Sequence, residues 1–371
     1  MRCRVNNLVP KYRITINGKD LEGAAPVANS AIERLLFEEA FFQTSHVDLT
    51  FQDALDFDLL PAMIDPTMNP ILELFMGYHP NPVKVFEGHI VEAELSGDQG
   101  ENPKLRLKAY DYSWPLKVPR EPASYTDTSL YSIVSKLIKK DRSGLSLTPV
   151  IDPVEPLKKY TAEDYRSVNK ADMTDWEFLT KAARMFGYKL YCRFKEIHIE
   201  DKNRLEVLQG GNVKTFIYKP RKGQVDDIVT FPLLAFNPKA AREGQRMQVE
   251  VISWSPINED GKYGHTRMVV RSGITETLIV EEAVKDSNQA KKIAEGILRK
   301  RADQLVKGNA RIIGDPTIRV GQKHTLIMNP FGKCGAMMSG EHELIGVKHS
   351  FSKAGYITEF DINRARLSEV K

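Results

Sequence analysis

Run after run of this chain alternates apolar with polar residues, and that period of two restricts it to folds built from half-buried strands. In KLRLKAYDY, Leu105, Leu107 and Ala109 fall on one face and Lys104, Arg106 and Lys108 on the other. YRITING sets Tyr12, Ile14 and Ile16 against Arg13, Thr15 and Asn17, and HVDLTFQD aligns Val47, Leu49 and Phe51. In KVFEGHIVEAEL the apolar phase changes, with Phe86 and Ile90 on one face and Val91, Ala93 and Leu95 on the other. A bulge or bend near Gly88 accounts for that change. ALDFDLLPAMIDP predicts a short helix followed by a loop. Residues 1–117 therefore read as a β-barrel or sandwich with one short helix.

The period changes over 118–210. TDTSLYSIVSKLIKKDRSGLS offers Thr126, Asp127 or Thr128 as a cap, then an apolar stripe of Ile133, Val134, Leu137 and Ile138, with Gly144 as the stop. In TDWEFLTKAARMFGY, Thr174 and Glu177 have capping-box spacing, in which hydroxyl and carboxylate each accept a free backbone N–H. Trp176, Leu179 and Ala183 follow at helical spacing, and Gly187 stands where a left-handed terminator is wanted. Asp172 and Asp175 lie at the positive end of the helix dipole. Three carboxylates beside a tryptophan could be an acid–base site, but helix entry explains them sufficiently. YKLYCRFKEIHIED reads as a hairpin turning near Lys195-Glu196.

Strands return over 211–371, after a Gly210-Gly211 loop, in QRMQVEVISWSP, HTRMVVRSG and TETLIVEEAV. One long helix interrupts them over about 287–307, capped by Ser287 and stopped at Gly308. Its basic residues read as a solvated face or a partner-binding face. GDP (Gly314, Asp315, Pro316) is a turn between strands, and SKAG joins the closing hairpin, His342–Ser350 to Tyr356–Ala365.

Composition excludes more than it selects. With 53 basic and 49 acidic residues the net charge is +4, too even to argue for nucleic acid or an anionic membrane. Cys3, Cys192 and Cys334 lie far apart and form no disulfide framework, which fits assembly in a reducing compartment. The N-terminus has no apolar h-region, so no cleaved signal is expected, and no apolar run is long enough for a membrane span. The eight histidines make no HxH or HExxH pattern, and His342 and His349 have opposite parity in one strand region. No GxSxG, SxxK or phosphate-cradling glycine loop occurs. No catalytic, cofactor-binding or metal-binding residue is therefore assigned, and the chain is read as a non-enzyme. The alternatives are a cell-wall-degrading tail-associated hydrolase, which needs a raised-pKa acid and a second carboxylate across a cleft, and a strand-rich binder of carbohydrate or nucleic acid.

Four stretches, in order, carry a family resemblance: VFEGHIVEAEL; LRLKAYDYSWPL; NKADMTDWEFLTKAARMFGYKLY; and AKKIAEGILRKRADQLVKGNARIIGDPTIRVGQ with YITEFDINRARL. Together they extend from about residue 80 to 366. The set resembles the late-control protein D family, the baseplate hub proteins of contractile-tail phages. It is also similar to the hub part of type VI secretion VgrG spike proteins.

The resemblance implies an α+β, mostly β fold, with two tube-protein-like β-barrel domains (1–117 and 211–371) separated by an α+β domain (118–210). Three chains would form a pseudo-sixfold ring, a symmetry adaptor joining a trimeric spike to the sixfold tail tube. Implied partners are two further copies, a separate spike protein, the tube protein, and tape-measure and baseplate wedge proteins. No membrane anchor and no sequence-specific nucleic acid are implied. The implied location is the virion tail baseplate, or a related contractile particle, after synthesis in the bacterial cytoplasm. Asp111, Tyr112, Thr174, Asp175, Trp176, Glu177, Gly187, Gly314, Asp315 and Pro316 match the family's motifs and are expected to be structural. LLFEEAFF, with Leu35, Leu36, Phe37, Phe41 and Phe42, is a candidate inter-subunit or tube contact; the other reading is an element packed in its own barrel.

Overall fold

The computed structural model describes residues 9–21, 32–52, 69–97, 102–118, 120–125, 129–142, 144–151, 168–170, 172–185, 187–201, 213–218, 230–240, 247–255, 264–271, 276–281, 287–328, 331–352 and 355–365. The helix expected in ALDFDLLPAMIDP and the Gly210-Gly211 loop lie outside the described residues.

The first sheet comprises β1 (Pro10–Ile16), β2 (Lys19–Asp20), β3 (Ile32–Ala40), β4 (His46–Gln52), β5 (Ile71–Tyr78), β6 (Val83–Ser96) and β7 (Lys104–Asp111). Its order is β3-β4-β7-β6-β5-β1-β2, all antiparallel. The alternating positions read from the sequence supply its inner face: Val47, Leu49 and Phe51 from β4 and Leu105, Leu107 and Ala109 from β7 are fully buried. Ile14 of β1 and Leu35 of β3, far apart in strand order, join the same core, so the sheet curls around it. Each such side chain contributes roughly 1.5–3 kcal/mol by leaving water.

The phase change in β6 is a bulge, but it falls between Ile90 and Glu92 rather than at Gly88. Gly88 answers a different need. A Cβ there would lie 2.1 Å from the Tyr110 carbonyl oxygen, so only glycine lets the two strands approach.

The middle layer holds β8 (Ala123–Tyr125), helix α1 (Leu130–Lys139), β9 (Thr148–Ile151), β10 (Val168–Lys170), helix α2 (Asp175–Met185), β11 (Lys189–Arg193) and β12 (Glu196–Glu200). The apolar stripes of α1 and α2 meet in one core with Tyr188, Leu190, Ile197 and Ile199. Ser129, not an earlier residue, caps α1: its side chain accepts from Ser132 N at 3.1 Å. The helix ends at Lys139, and Gly144 (φ +82°) sits in the turn beyond. The β11–β12 hairpin turns at Phe194-Lys195.

The remainder holds β13 (Thr215–Tyr218), β14 (Thr230–Ala240), β15 (Met247–Ser255), β16 (Gly264–Arg271), β17 (Glu276–Glu281), helix α3 (Ser287–Ala302), β18 (Val306–Ile313), β19 (Lys323–Met328), helix α4 (Gly332–Met338), β20 (Gly340–Ser352) and β21 (Gly355–Arg364). The row β19-β13-β14-β18-β21-β20 closes on itself through β19–β20 pairing, a six-stranded barrel without free edges. Strands β15, β16 and β17 form a separate sheet packed by α3 through Val249, Val251, Ala290, Ile293 and Ala294. Helix α3 is shorter than the sequence predicts. It ends at Ala302, and Gly308 is not its stop but a barrel residue whose Cβ would fall 2.2 Å from the Asn237 carbonyl oxygen.

Strand β20 joins the barrel to the first sheet. One edge pairs with β21; along the other, Gly340–Glu343 pair with β19 and Gly346–Ser352 with β3. A register slip between Leu344 and Gly346 marks the change of partner. It also reverses the inward phase, so that His342 and His349 are both buried despite their opposite parity. The fold is thus mostly β, with a closed six-stranded barrel and few helices.

Gly88→Ala and Gly308→Ala are each expected to lose roughly 1–3 kcal/mol of unfolding free energy from overpacking against backbone. Gly97→Ala, with nothing within 4 Å of its Cβ, is expected to change it by less than about 0.5 kcal/mol. Urea denaturation compares the three; equal midpoints would contradict the close-approach account.

Candidate functional site

The motif residues converge on the joints between layers. At the entry of α2, Thr174 N donates to Glu177 Oε2 at 2.7 Å and Glu177 N donates to Thr174 Oγ1 at 3.1 Å, a complete capping box. That backbone donor, with the Thr174 side chain and Arg120, holds the Glu177 carboxyl below its usual range. Asp172 is exposed, beside Arg120. Asp175 behaves differently. It is 1% exposed and ion-paired to two cations, Arg142 at 2.5 Å and the buried ammonium of Lys170. The pair ties α2 to β10 and to the segment after α1. Trp176 Nε1 donates to the Phe42 carbonyl at 3.3 Å, which fastens α2 to the end of β3. Gly187 closes the helix at φ +74°.

The second joint is Asp111-Tyr112, at the end of β7. Asp111 Oδ2 accepts from Ser45 N at 2.7 Å, and Oδ1 accepts from Ser113 N and Oγ at 2.9 and 2.5 Å. Burial pushes this carboxyl up to about 6, and the hydrogen bonds oppose the push. Tyr112, fully buried in the middle core, donates its hydroxyl to Glu87 at 2.8 Å.

The third joint is the Gly314-Asp315-Pro316 turn after β18. Gly314 lies against the Tyr356 ring, where a Cβ would meet Cγ at 2.0 Å. Its carbonyl accepts from Tyr78 at 2.7 Å, a bond from the first sheet to the barrel. Asp315 pairs with Lys214 at 2.5 Å, and Pro316 packs beside Gly77 of β5.

The sequence reading missed the partners that complete these joints. Glu39 of β3 is 5% exposed and receives Arg319 Nε at 2.9 Å, Arg319 Nη2 at 2.7 Å and Val320 N at 2.7 Å. Arg319 Nη1 donates to the Val85 carbonyl of β6 at 3.0 Å. Burial alone would raise the Glu39 carboxyl; Arg319 outweighs it and holds it below the usual range. His349 is fully buried between Thr358, Tyr356 and the Ile318 carbonyl, which accepts at 3.1 Å from Nε2. No spacing rule links such residues, because 280 positions separate Glu39 from Arg319.

LLFEEAFF forms β3 and the turn after it, and its apolar side chains face inward. Leu35 and Phe37 are 0% and 1% exposed in the first-sheet core, and Leu36 is also buried. Phe41 packs with Tyr191 and Val320, one residue from each layer, and Phe42 is partly buried beside it. This stretch is an internal joint, not an inter-subunit or tube contact: its own layers cover it.

These carboxylates suit architecture rather than acid–base chemistry. Asp175 and Glu39 are enclosed and paired, and the oxygens of Asp111 are engaged by Ser45 and Ser113. Among the described residues no group of three His, Cys, Asp or Glu converges as a metal site, and no helix is long and apolar enough to cross a membrane.

A family model described as the Alg8 N-terminal domain matches residues 8–217. The chain belongs to the Alg8 N-terminal domain family. That span covers the first sheet and the middle layer and stops within β13; its description names a domain and no activity. It differs from the late-control protein D resemblance. No curated protein matches the chain. Solved structures match over nearly its whole length. The tail protein of Neisseria meningitidis MC58 is 12% identical, with a TM-score of 0.68 over 96% of this chain and 97% of that one. The 43 kDa tail protein of prophage MuSo2 from Shewanella oneidensis is 13% identical, with a TM-score of 0.66 over 96% and 98%. The Escherichia coli c3393 protein, described as a type VI secretion component similar to the T4 tail proteins gp27 and gp5, is 10% identical, with a TM-score of 0.55 over 96% and 79%. At such identities the likeness establishes the fold: this Alg8 N-terminal domain family member is built like phage tail proteins.

Asp175→Asn leaves Lys170 buried without its full counter-charge and is expected to cost roughly 3–5 kcal/mol. Adding Lys170→Met is expected to recover part of that loss, whereas Asp172→Asn changes stability by less than about 0.5 kcal/mol. A urea double-mutant cycle tests this; additive losses would contradict the pairing.

Stability is also expected to fall on acidification. Burial lowers His324, His342 and His349 from 6.5 to about 4, so the unfolded chain binds more protons than the fold between those values. Their contribution is complete above pH 6.5 and is lost as pH falls toward 4. Asp111, raised from 3.8 to about 6, acts oppositely: it favours the fold at low pH and loses that contribution as pH rises through 6. Three groups against one give a net loss, read as a urea midpoint declining from pH 6.5 to 4; a rising midpoint would contradict it.

Proposed function

We propose that the chain is a structural baseplate hub protein of a contractile phage tail or related injection machine, and not an enzyme. The observation that carries this reading is the near-full-length fold likeness to two tail proteins, joined to a closed barrel that shares a strand with a second curled sheet. In this reading the curled first sheet acts as a second tube-like barrel, so that residues 1–117 and 211–371 are the two hub domains and 118–210 the α+β domain between them. Three chains close a ring by repeating one head-to-tail contact. Their six walls meet the sixfold tube, and the threefold axis seats a separate trimeric spike. Tape-measure and wedge proteins are further partners, and the tail baseplate is the location. Asp111, Tyr112, Thr174, Asp175, Trp176, Glu177, Gly187, Gly314, Asp315 and Pro316 are structural in this role.

Light scattering on the purified chain, alone and with its candidate spike protein, tests the proposal. The expected species has three times the 42.0 kDa chain mass. A strict monomer in both samples would refute the ring.

A further inference from the structure

We infer that the cleft between α2 and α3 is a docking site for an acidic, amphipathic segment of a partner protein. The cleft has a volume of about 1070 Å³. Its floor is apolar: Trp176 and Met185 from α2, Leu278 and Val280 from β17, and Ile293 and Ile297 from α3. The two helices are held close, with Gly296 Cα 3.5 Å from where a Cβ on Gly187 would lie. The polar lining is one-sided. It carries Lys117, Arg120, Lys181, Arg184, Lys300 and Arg301 against a single carboxylate, Glu177, which already serves the α2 capping box.

Two observations connect this charge to a ligand. First, the cations crowd one another. Burial pushes the Lys300 amine below the usual lysine range, and the neighbouring charges of Arg184, Arg301 and Lys189 push it further. Such like-charge crowding is relieved when an anion enters. Second, cation and apolar surface are interleaved rather than separate: the Arg184 guanidinium sits 4.6 Å from the centre of the Phe42 ring, at the cleft edge. A helix with leucine-type anchors on one face and carboxylates on its flanks matches that combination, the helix-in-groove mode. A nucleic-acid backbone would meet the cations but leave the aliphatic floor without a partner. The cleft's chemistry does not depend on the hub reading, so either can fail alone.

The test uses the full chain and fluorescence anisotropy with a labelled synthetic helical peptide, leucine on one face and glutamate on both flanks. A matched peptide with glutamine for glutamate and a duplex DNA oligomer serve as comparisons. The glutamate peptide is expected to bind at least about tenfold more tightly than the glutamine peptide, with the advantage shrinking as salt rises. Arg184→Glu with Lys300→Glu is expected to weaken it by about tenfold or more while circular dichroism and the thermal midpoint hold. Should that pair misfold, Lys300→Gln is expected to weaken binding by about threefold. Equal binding of the two peptides, tighter binding of DNA than of the glutamate peptide, no binding of the glutamate peptide, or folded variants with unchanged affinity would each overturn the inference.

Discussion

Strand β20 is the element on which the rest of the architecture depends. A β-strand has two hydrogen-bonding edges, and β20 spends one of them on β21 throughout. The other it divides, closing the barrel on β19 and then carrying β3 and the whole first sheet. The slip at Leu344–Gly346 permits this by bending the strand and reversing which side chains face inward. Without the change of partner the barrel would close as a separate body, and the first sheet would present β3 as an unprotected edge.

Enclosed charges then set the angle at which the layers meet. Glu39 and Arg319 couple β3 to the segment after the Gly314 turn, and Arg319 reaches on to β6. Asp175 couples the middle layer to itself, and Asp111 fixes the start of β4 against the end of β7. Such pairs add little net stability compared with an apolar contact, because desolvation opposes their attraction. Their geometry, however, is directional. A slipped arrangement would leave a bare charge inside, which is costly, so these groups favour one arrangement of the layers over its neighbours. That directional role also explains why a cluster of acids beside a tryptophan need not be catalytic: every carboxylate in it has a neighbour that occupies it.

A part of a larger machine has to be stiff between its contacts, and the joints provide that stiffness. Phe41, Tyr191 and Val320 meet where the first sheet, the middle layer and the barrel come together. The apolar stretch that resembles an exposed patch in the sequence is the hinge-free centre of the chain. The cleft beside α3 is the contrasting case: apolar and cationic surface that the chain's own layers leave open.

Local physics was legible in the sequence. Alternation identified β4 and β7 and the faces they bury, because the strand period is a property of the backbone alone. The capping box at Thr174 and Glu177 and the hairpins at Phe194-Lys195 and after Ser352 followed from nearby residues satisfying nearby groups. Boundaries were less legible: α3 stops at Ala302 because Val306 onward is recruited into the barrel, and that recruitment depends on β14 and β21, not on helix propensity. The partners of Glu39, Asp175 and His349, the change of partner along β20 and the inward turn of LLFEEAFF were not legible at all. They are contacts between distant segments, whose energies depend on the final distance and desolvation of each pair. The sequence by itself determined which elements form and which faces they bury; only the tertiary structure decided which charges meet, which strand serves two sheets and which apolar surface is left open.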